Sequence, residues 1–477
     1  MASTPSTIDP IDWIEAISSA DPQRAWLEMP DGGVIGYQML HSAVATMATK
    51  LANAGIKPAD RVAACLEKSP EAVILYFACL WIGAIYMPLN TGYTQSEIAY
   101  FLQDAEPAMF VGNGIPHQTH SLADIAALPI TQIGERPIFA SDSIAAMLYT
   151  SGTTGRPKGA MLTRANLASN AVALMNAWAI TADDVLIHAL PIFHVHGLFI
   201  AINSMTAAGA QMLFRAKFDP DDVIALMPRA TMLMGVPTFY TRLLSTPTLT
   251  REACANIRLF ISGSAPLLAE THRQFEACTG HAILERYGMT ETGINTSNPY
   301  DGARIAGTVG LPLPDVEVRI SDVEGDIGTI EVRGPNVFAG YWRNPEKTAA
   351  EFREGGWFIT GDLGKIDAQG YVHIIGRGKD LIITGGYNVY PKEVEDAIDA
   401  LPGVSESAVI GVPHDDFGEA VIAIVVGTGL DPAAILAKLR TSLAAYKLPK
   451  TIHIVDELPR NTMGKVQKTV LRENYSL

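Results

Sequence analysis

Ile144-Ala-Ala-Met-Leu-Tyr-Thr-Ser-Gly-Thr-Thr-Gly-Arg-Pro-Lys-Gly-Ala-Met-Leu162 decides how the rest of the chain is read. The apolar run from Ile144 to Tyr149 predicts a buried strand. A Gly/Ser/Thr loop with Lys158 follows, and Thr163 and Asn166 then open a helical pattern. Glycines let backbone N–H groups approach an anion, hydroxyls donate to it, and a lysine adds a point charge. A strand that breaks into such a loop reads as a phosphate cradle, not as a plain surface turn. It is not the common G-x-x-x-x-G-K-[ST] loop: counting from Gly152, Pro157 stands where the second glycine belongs.

On either side, short apolar runs alternate with helical periodicity. Upstream, Tyr37 to Ala54 predicts a helix, Arg61 to Cys65 a strand, Ser96 to Asp104 a helix and Ala108 to Val111 a strand. Downstream, Val185 to Leu190, Gln211 to Phe214, Thr231 to Gly235, Leu259 to Ser262 and Ala282 to Arg286 read as strands. Strands that alternate with helices imply parallel βαβ units. After about residue 300 short alternating strands with Gly turns predict a β subdomain, through Val316 to Ile320, Thr329 to Arg333 and Tyr371 to Ile375. Gly376-Arg-Gly-Lys-Asp380 is a Gly-flanked charged stretch that suits a hinge. The expected architecture is α/β: a large N-terminal domain, 1–378, of parallel βαβ sheets plus the β subdomain, and a small mobile α+β domain, 379–477.

Ala72 to Leu89 has 18 residues without a charge, about the length of a membrane span. Ser69-Pro-Glu71 is a helix start and Gly83 a break, so the stretch is read as a buried helix from about 70 to 82 and a short strand. No membrane role is expected. The formal net charge of −15 argues against sequence-independent nucleic-acid binding. Cys65, Cys79, Cys254 and Cys278 form no CxxC pair, and the N-terminus has no signal-peptide pattern, so a cytoplasmic protein with reduced thiols is expected.

Five motifs in order resemble the AMP-forming acyl-CoA synthetases and their adenylating relatives over essentially the whole length. They are the loop at 150–159, Tyr287-Gly-Met-Thr-Glu291, Thr360-Gly-Asp362, Gly376-Arg377 and Gly464-Lys465. Within that family the chain is most similar to the malonyl-CoA synthetases. That likeness is carried by Pro191-Ile-Phe-His-Val-His-Gly197, Gly235-Val-Pro-Thr-Phe-Tyr-Thr-Arg-Leu-Leu244, Phe260-Ile-Ser-Gly-Ser-Ala-Pro-Leu267 and Asn295-Thr-Ser-Asn-Pro-Tyr-Asp301. Gly293-Ile294 departs from the pattern of that branch and leaves the fine size of the pocket open.

The resemblance implies ATP-dependent ligation of an acid to CoA through an acyl adenylate, with release of AMP and pyrophosphate and with Mg²⁺. An anion must attack a polyanion, so cations and donors belong where charge develops. Lys465, Thr290, Glu291 and Lys158 are then the catalytic group. Lys465 bridges the substrate carboxylate and the α-phosphate, Thr290 contacts phosphate, and Glu291 holds Mg²⁺ as a hard oxygen ligand. Thr150, Ser151, Gly152, Thr153, Thr154, Gly155 and Lys158 close over the β- and γ-phosphates. Gly263, Ser264 and Ala265 line adenine, Tyr287 stacks on it, and Glu285, Arg286 and Gly288 belong to the same nucleotide site. Asp362 accepts from the ribose hydroxyls with Arg377 nearby.

No cysteine lies in a motif for an internal thiol, so the acceptor is CoA. By the resemblance, the C-terminal domain rotates about Lys379, and Gly385 and Gly386 line a pantetheine tunnel. Malonate carries a second carboxylate that needs a fixed cation, and arginine's fork matches it. Arg242 is the first candidate and Arg286 the second, with His194, Ser262 and Met289 as further pocket residues. Other readings are a ligase for another short-chain or dicarboxylic acid such as methylmalonate, an enzyme that loads a separate carrier protein, and a non-catalytic adenylate-binding protein. Lys465 is also an expected target of a lysine acetyltransferase and deacetylase.

Overall fold

Local capping chemistry sets where the helices begin. Ser69 accepts from the Ala72 amide and Pro70 fills the first helical position, so the helix Pro70–Ile82 starts there, and Gly83, at φ 74°, ends it. The computed structural model describes residues 9–112, 119–129, 136–150, 157–385, 387–414, 417–461 and 464–475. Ser151, Gly152, Thr153, Thr154, Gly155 and Gly386 lie outside these described residues. No described helix is long and apolar enough to cross a membrane. Pro70–Ile82 is apolar all round because it is buried along its whole length in the main core.

The N-terminal domain holds two largely parallel sheets. Among the described residues the larger has nine strands. Leu284–Met289, Leu259–Ser262, Met232–Gly235, Val185–His188, Gln211–Phe214 and Ala25–Glu28 run parallel in that order, and antiparallel strands close both edges. The smaller has seven described strands, parallel through Ile144–Thr150, Ile85–Pro88, Arg61–Cys65, Met109–Gly112 and Thr119–His120. Both are buried on two faces, which is why their strands read as continuous apolar runs.

The loop at 150–159 does not lead straight into a helix, as the sequence suggested. Lys158–Thr163 is a strand antiparallel to Ile144–Thr150, with Thr150 opposite Lys158 and Leu148 opposite Ala160. Thr163 only then caps the helix Arg164–Ala177. The strand was hidden because it begins inside the loop motif and has few apolar residues. The segment His196–Ile202 is a buried π-helix, which the sequence did not announce.

A third, antiparallel sheet of Glu317–Glu324, Ile327–Arg333, Trp357–Ile366, Phe352–Arg353 and Val372–Arg377 forms the β subdomain. Gly378–Asp380 is a single 3₁₀ turn that leaves it. The C-terminal domain follows, with its own sheet, including Val404–His414 and Gly418–Gly427, and its own apolar clusters. It touches the N-terminal domain where Asn388 donates to Glu324 and where Gly464 meets Thr238.

Candidate active site

In open parallel sheets, ligands bind beyond the carboxyl ends of the strands. The residues singled out by sequence collect there: Thr150, Ser262 and Met289 each end a strand.

At the first corner Thr150 donates from Oγ1 to Glu291 Oε1 at 3.2 Å. The Tyr341 hydroxyl reaches the same oxygen at 3.1 Å and lies 2.6 Å from Glu351 Oε2. Lys158 Nζ lies 3.9 Å from Glu351 and 5.0 Å from the Tyr341 ring centre. Burial raises the Glu291 carboxyl and lowers the Lys158 ammonium. Thr290 is half-buried in the turn just before Glu291. Tyr341 and Glu351 tie Glu291 to Lys158, yet no motif marked them, because they lie 50 and 60 residues downstream of Glu291. A buried carboxylate oxygen fits Mg²⁺, and no group of three His, Cys, Asp or Glu that could hold a metal stands among the described residues.

At the second corner Asp362 and Arg377 face each other across paired strands, with Arg377 Nε 2.8 Å from Asp362 Oδ1. Tyr287 donates its hydroxyl to Asp362 Oδ2 at 2.5 Å. Burial lifts Asp362, while Arg377 and the Tyr287 hydroxyl work against that lift. Tyr287 is thus fixed in place by the residue expected to hold ribose.

Side chains alternate along Leu284–Met289. Glu285 turns to His272 Nδ1, 3.4 Å away, and takes the Gly307 amide at 3.3 Å. Arg286 points to the other face and is 5% exposed, and neither its Nε nor its Nη2 has a hydrogen-bond partner. Its guanidinium lies over Gly263, where a Cβ would come within 2.3 Å of Cζ. Desolvation pushes Arg286 down to about 9. Ser262 is buried with an unpartnered Oγ, and Ser264 holds a left-handed backbone at φ 71°. The Ser264 hydroxyl is 3.1 Å from His196 Nδ1, and the His196 amide donates to His194 Nδ1 at 3.3 Å. Burial, with Lys465 and Arg286 nearby, pushes His194 down to about 3. Met289 and Ala265 are half-buried at the rim. Gly288 needs its lack of a side chain, since a Cβ would sit 1.9 Å from the Gly293 carbonyl oxygen.

Lys465 enters from the C-terminal domain on a tight turn. Its amide donates to Asn461 Oδ1 at 3.0 Å and its carbonyl accepts from the Asn461 amide at 2.9 Å. Lys465 is exposed and lies within electrostatic reach of Arg377, Asp362, Arg286 and Glu291. Desolvation lowers its ammonium, with Arg377 next in weight. Arg242 is exposed on helix Pro237–Leu244, one turn from Thr238 on the same face. Of the two arginines considered for a second carboxylate, Arg286 is therefore the buried one. Lys379 is exposed in its 3₁₀ turn, and Gly385, at φ 56°, donates its amide to Phe417 O at 2.8 Å.

The family described as AMP-binding enzyme matches residues 15–342, and its C-terminal domain matches 393–465. The chain belongs to the AMP-binding enzyme family. A feruloyl-CoA synthase from Amycolatopsis sp is 34% identical to this AMP-binding enzyme over 93% of its chain and 94% of the relative. A mitochondrial malonate–CoA ligase from Mus musculus is 35% identical over 87% and 82%. The ATP-bound crystal structure of MatB from Rhodopseudomonas palustris superposes with a TM-score of 0.92, at 53% identity over 98% of this chain and 99% of that one. This AMP-binding enzyme is an AMP-forming acyl-CoA synthetase that uses ATP and CoA.

Proposed function

We propose that this synthetase is a malonate–CoA ligase. The observation that carries the reading is the Arg286 guanidinium, buried with two nitrogens unpartnered beside His194 and within reach of Lys465. A buried cation without a partner is costly, and a carboxylate at the far end of the acid supplies one. A malonate–CoA ligase among its relatives, and likeness to MatB, support this reading.

In the first half-reaction a carboxylate oxygen of malonate attacks the α-phosphorus of ATP, and pyrophosphate leaves. Lys465 draws the two anions together and steadies the charge that builds on the α-phosphate. Thr290 and Thr150 donate to phosphate oxygens, and Lys158 offsets charge on the leaving pyrophosphate. Glu291 would hold Mg²⁺, and that ion, when bound, would supply Lewis-acid chemistry to the phosphate oxygens. Asp362, held by Tyr287 and Arg377, accepts from ribose. In the second half-reaction the CoA thiolate attacks the acyl carbon and AMP leaves. Rotation about Lys379 withdraws Lys465 and brings Gly385 to the site. Near Gly385, exposed Tyr387 stacks on Tyr446 with ring centres 4.8 Å apart, and Lys450 lies 4.5 Å from the Phe417 ring centre. Aromatic faces beside lysines suit the nucleotide end of CoA.

The deciding experiment is ATP–pyrophosphate exchange across a panel of mono- and dicarboxylic acids. Malonate is expected to lead, with methylmalonate next and acetate and propionate poor. A preference for a monocarboxylic acid defeats the malonate assignment.

A further inference from the structure

The strand Val185–His188 hands over to a loop that carries His194 and His196 and then to the π-helix His196–Ile202. That loop walls one side of the pocket around Arg286. It is anchored from the other parallel sheet. Lys68 follows the strand Arg61–Cys65 and immediately precedes Ser69, the cap of Pro70–Ile82. Its Nζ lies 2.7 Å from His188 Nδ1, 2.8 Å from the His188 carbonyl oxygen and 4.5 Å from the Phe214 ring centre. His188 Nε2 lies 2.9 Å from the Gly197 carbonyl oxygen.

These distances fix the protons. A carbonyl only accepts, so His188 Nε2 carries the hydrogen that faces Gly197. Nδ1 of the neutral ring then has a lone pair, and the Lys68 amino group donates to it. The opposite tautomer would set the Nε2 lone pair against a carbonyl oxygen. The Phe214 ring takes the remaining face of the amino group as a cation–π partner. Burial lowers both Lys68 and His188, which keeps the imidazole neutral. Gly197 is fixed from its other side as well, since a Cβ there would lie 2.0 Å from the Pro191 carbonyl oxygen. The loop from Pro191 to Gly197 therefore closes on itself, and His188 holds its closing residue.

We infer that Lys68 is a positioning residue of the acid pocket: it locks His188 as the Nε2–H tautomer, and His188 holds the Gly197 carbonyl and so the placement of His194 and His196 beside Arg286. The inference rests on the reading of that pocket as the acid-binding site, and not on which acid binds. Lys68 touches neither substrate in this role, so its loss acts on the acid and spares the nucleotide.

The test combines nitrogen-15 spectra of His188, assigned with a His188→Gln variant, with steady-state kinetics on the best acid of the wild type. The wild type is expected to show a protonated Nε2 and an accepting Nδ1. Lys68→Met takes the donor away from Nδ1 and frees the ring to turn from Gly197, so the Nδ1 resonance should move towards that of an unbonded lone pair and KM for the acid should increase about tenfold, equivalent to ~1.4 kcal/mol, with KM for ATP nearly unchanged. Lys68→Arg keeps a donor and should restore much of the loss. A protonated Nδ1 in the wild type overturns the inference. So does a Lys68→Met enzyme in which both KM values move together or neither moves. If Lys68→Met does not fold, the wild-type tautomer and the Lys68→Arg kinetics decide. A wild type that activates no acid refutes the functional reading, and the tautomer measurement still judges Lys68.

Discussion

The Tyr287 hydroxyl donates to Asp362 at 2.5 Å, on the carboxylate oxygen not used by Arg377. One side chain at the nucleotide cleft thus orients another across two sheets. Tyr287→Phe keeps the ring and removes the donor. A hydrogen bond to a charged group contributes roughly 1.5–3 kcal/mol, so KM for ATP should rise about tenfold or more. KM for the acid should stay near its wild-type value. Asp362 also loses a donor that stabilises its ionised form, so its carboxyl rises further and ATP binding weakens at a higher pH than in the wild type. Titration of ATP affinity against pH checks both points.

Arg286 separates stability from activity. Arg286→Met removes a buried cation with two unpartnered nitrogens, so the melting temperature should hold or increase. Malonate loses its counter-charge: a broken buried pair costs roughly 3–5 kcal/mol, or ~10²–10³ in kcat/KM. Monocarboxylic acids should be affected far less. Arg242→Ala, on the exposed face of its helix, should have the smaller effect of the two. Thermal melts and exchange kinetics on both variants test the order.

Lys465 and Lys379 divide the two half-reactions. Lys465→Ala should lower adenylation by ~10²–10³ and leave thioester formation from supplied acyl adenylate largely intact. Acetylation of Lys465 should do the same. Lys379→Pro fixes φ at the 3₁₀ turn and should spare adenylation while thioester formation fails. Pyrophosphate exchange and single-turnover thioester assays read the two steps separately.

Glu291→Gln keeps the shape and removes the charge. The Mg²⁺ dependence of adenylation should move to higher concentration, and Thr150 and Tyr341 lose their anionic acceptor. An unchanged Mg²⁺ titration assigns Glu291 a structural role only.

His188, His194 and His196 all lie below the ordinary histidine value, mainly through burial, with His194 at about 3. An unfolded chain takes up their protons near pH 6.5, and the folded one does not. Unfolding therefore gains protons as pH falls, so stability is present above about 6.5 and declines below it towards 3. Melting temperatures should hold from pH 8 to about 6.5 and decrease from there to pH 5, and imidazole spectra should show no titration of these three rings above pH 5.

Much of this was legible in the chain because the signals were local. Ser69-Pro70 and Gly83 bracket a helix whatever surrounds them, and the structure has it at Pro70–Ile82. Glycines that must approach a ligand, and a threonine and glutamate in the turn after a strand, are spacing signals of the same kind. The strand Lys158–Thr163 was not legible, because its partner strand and Gly340–Tyr341, not its own composition, make it one. Tyr341, Glu351 and Lys68 were missed for a related reason. Each acts on a residue far away in sequence, and a single phenol, carboxylate or lysine carries no pattern. The choice between Arg242 and Arg286 turned on burial, which helical or strand periodicity around an isolated arginine does not reveal.

The contact between Gly263 and the Arg286 guanidinium makes position 263 a ruler for the acid. A Cβ there would stand 2.3 Å from Cζ, so Gly263→Ala drives the cationic fork aside by on the order of 1 Å to regain ordinary contact distance. The charge remains and only its distance from the adenylating end changes, on the scale of a single carbon–carbon bond. Diacids one methylene apart differ by a step of that size, so if Arg286 receives the far carboxylate, as proposed, Gly263→Ala is expected to shift the choice among them through a methyl group on a residue that need not touch the acid at all.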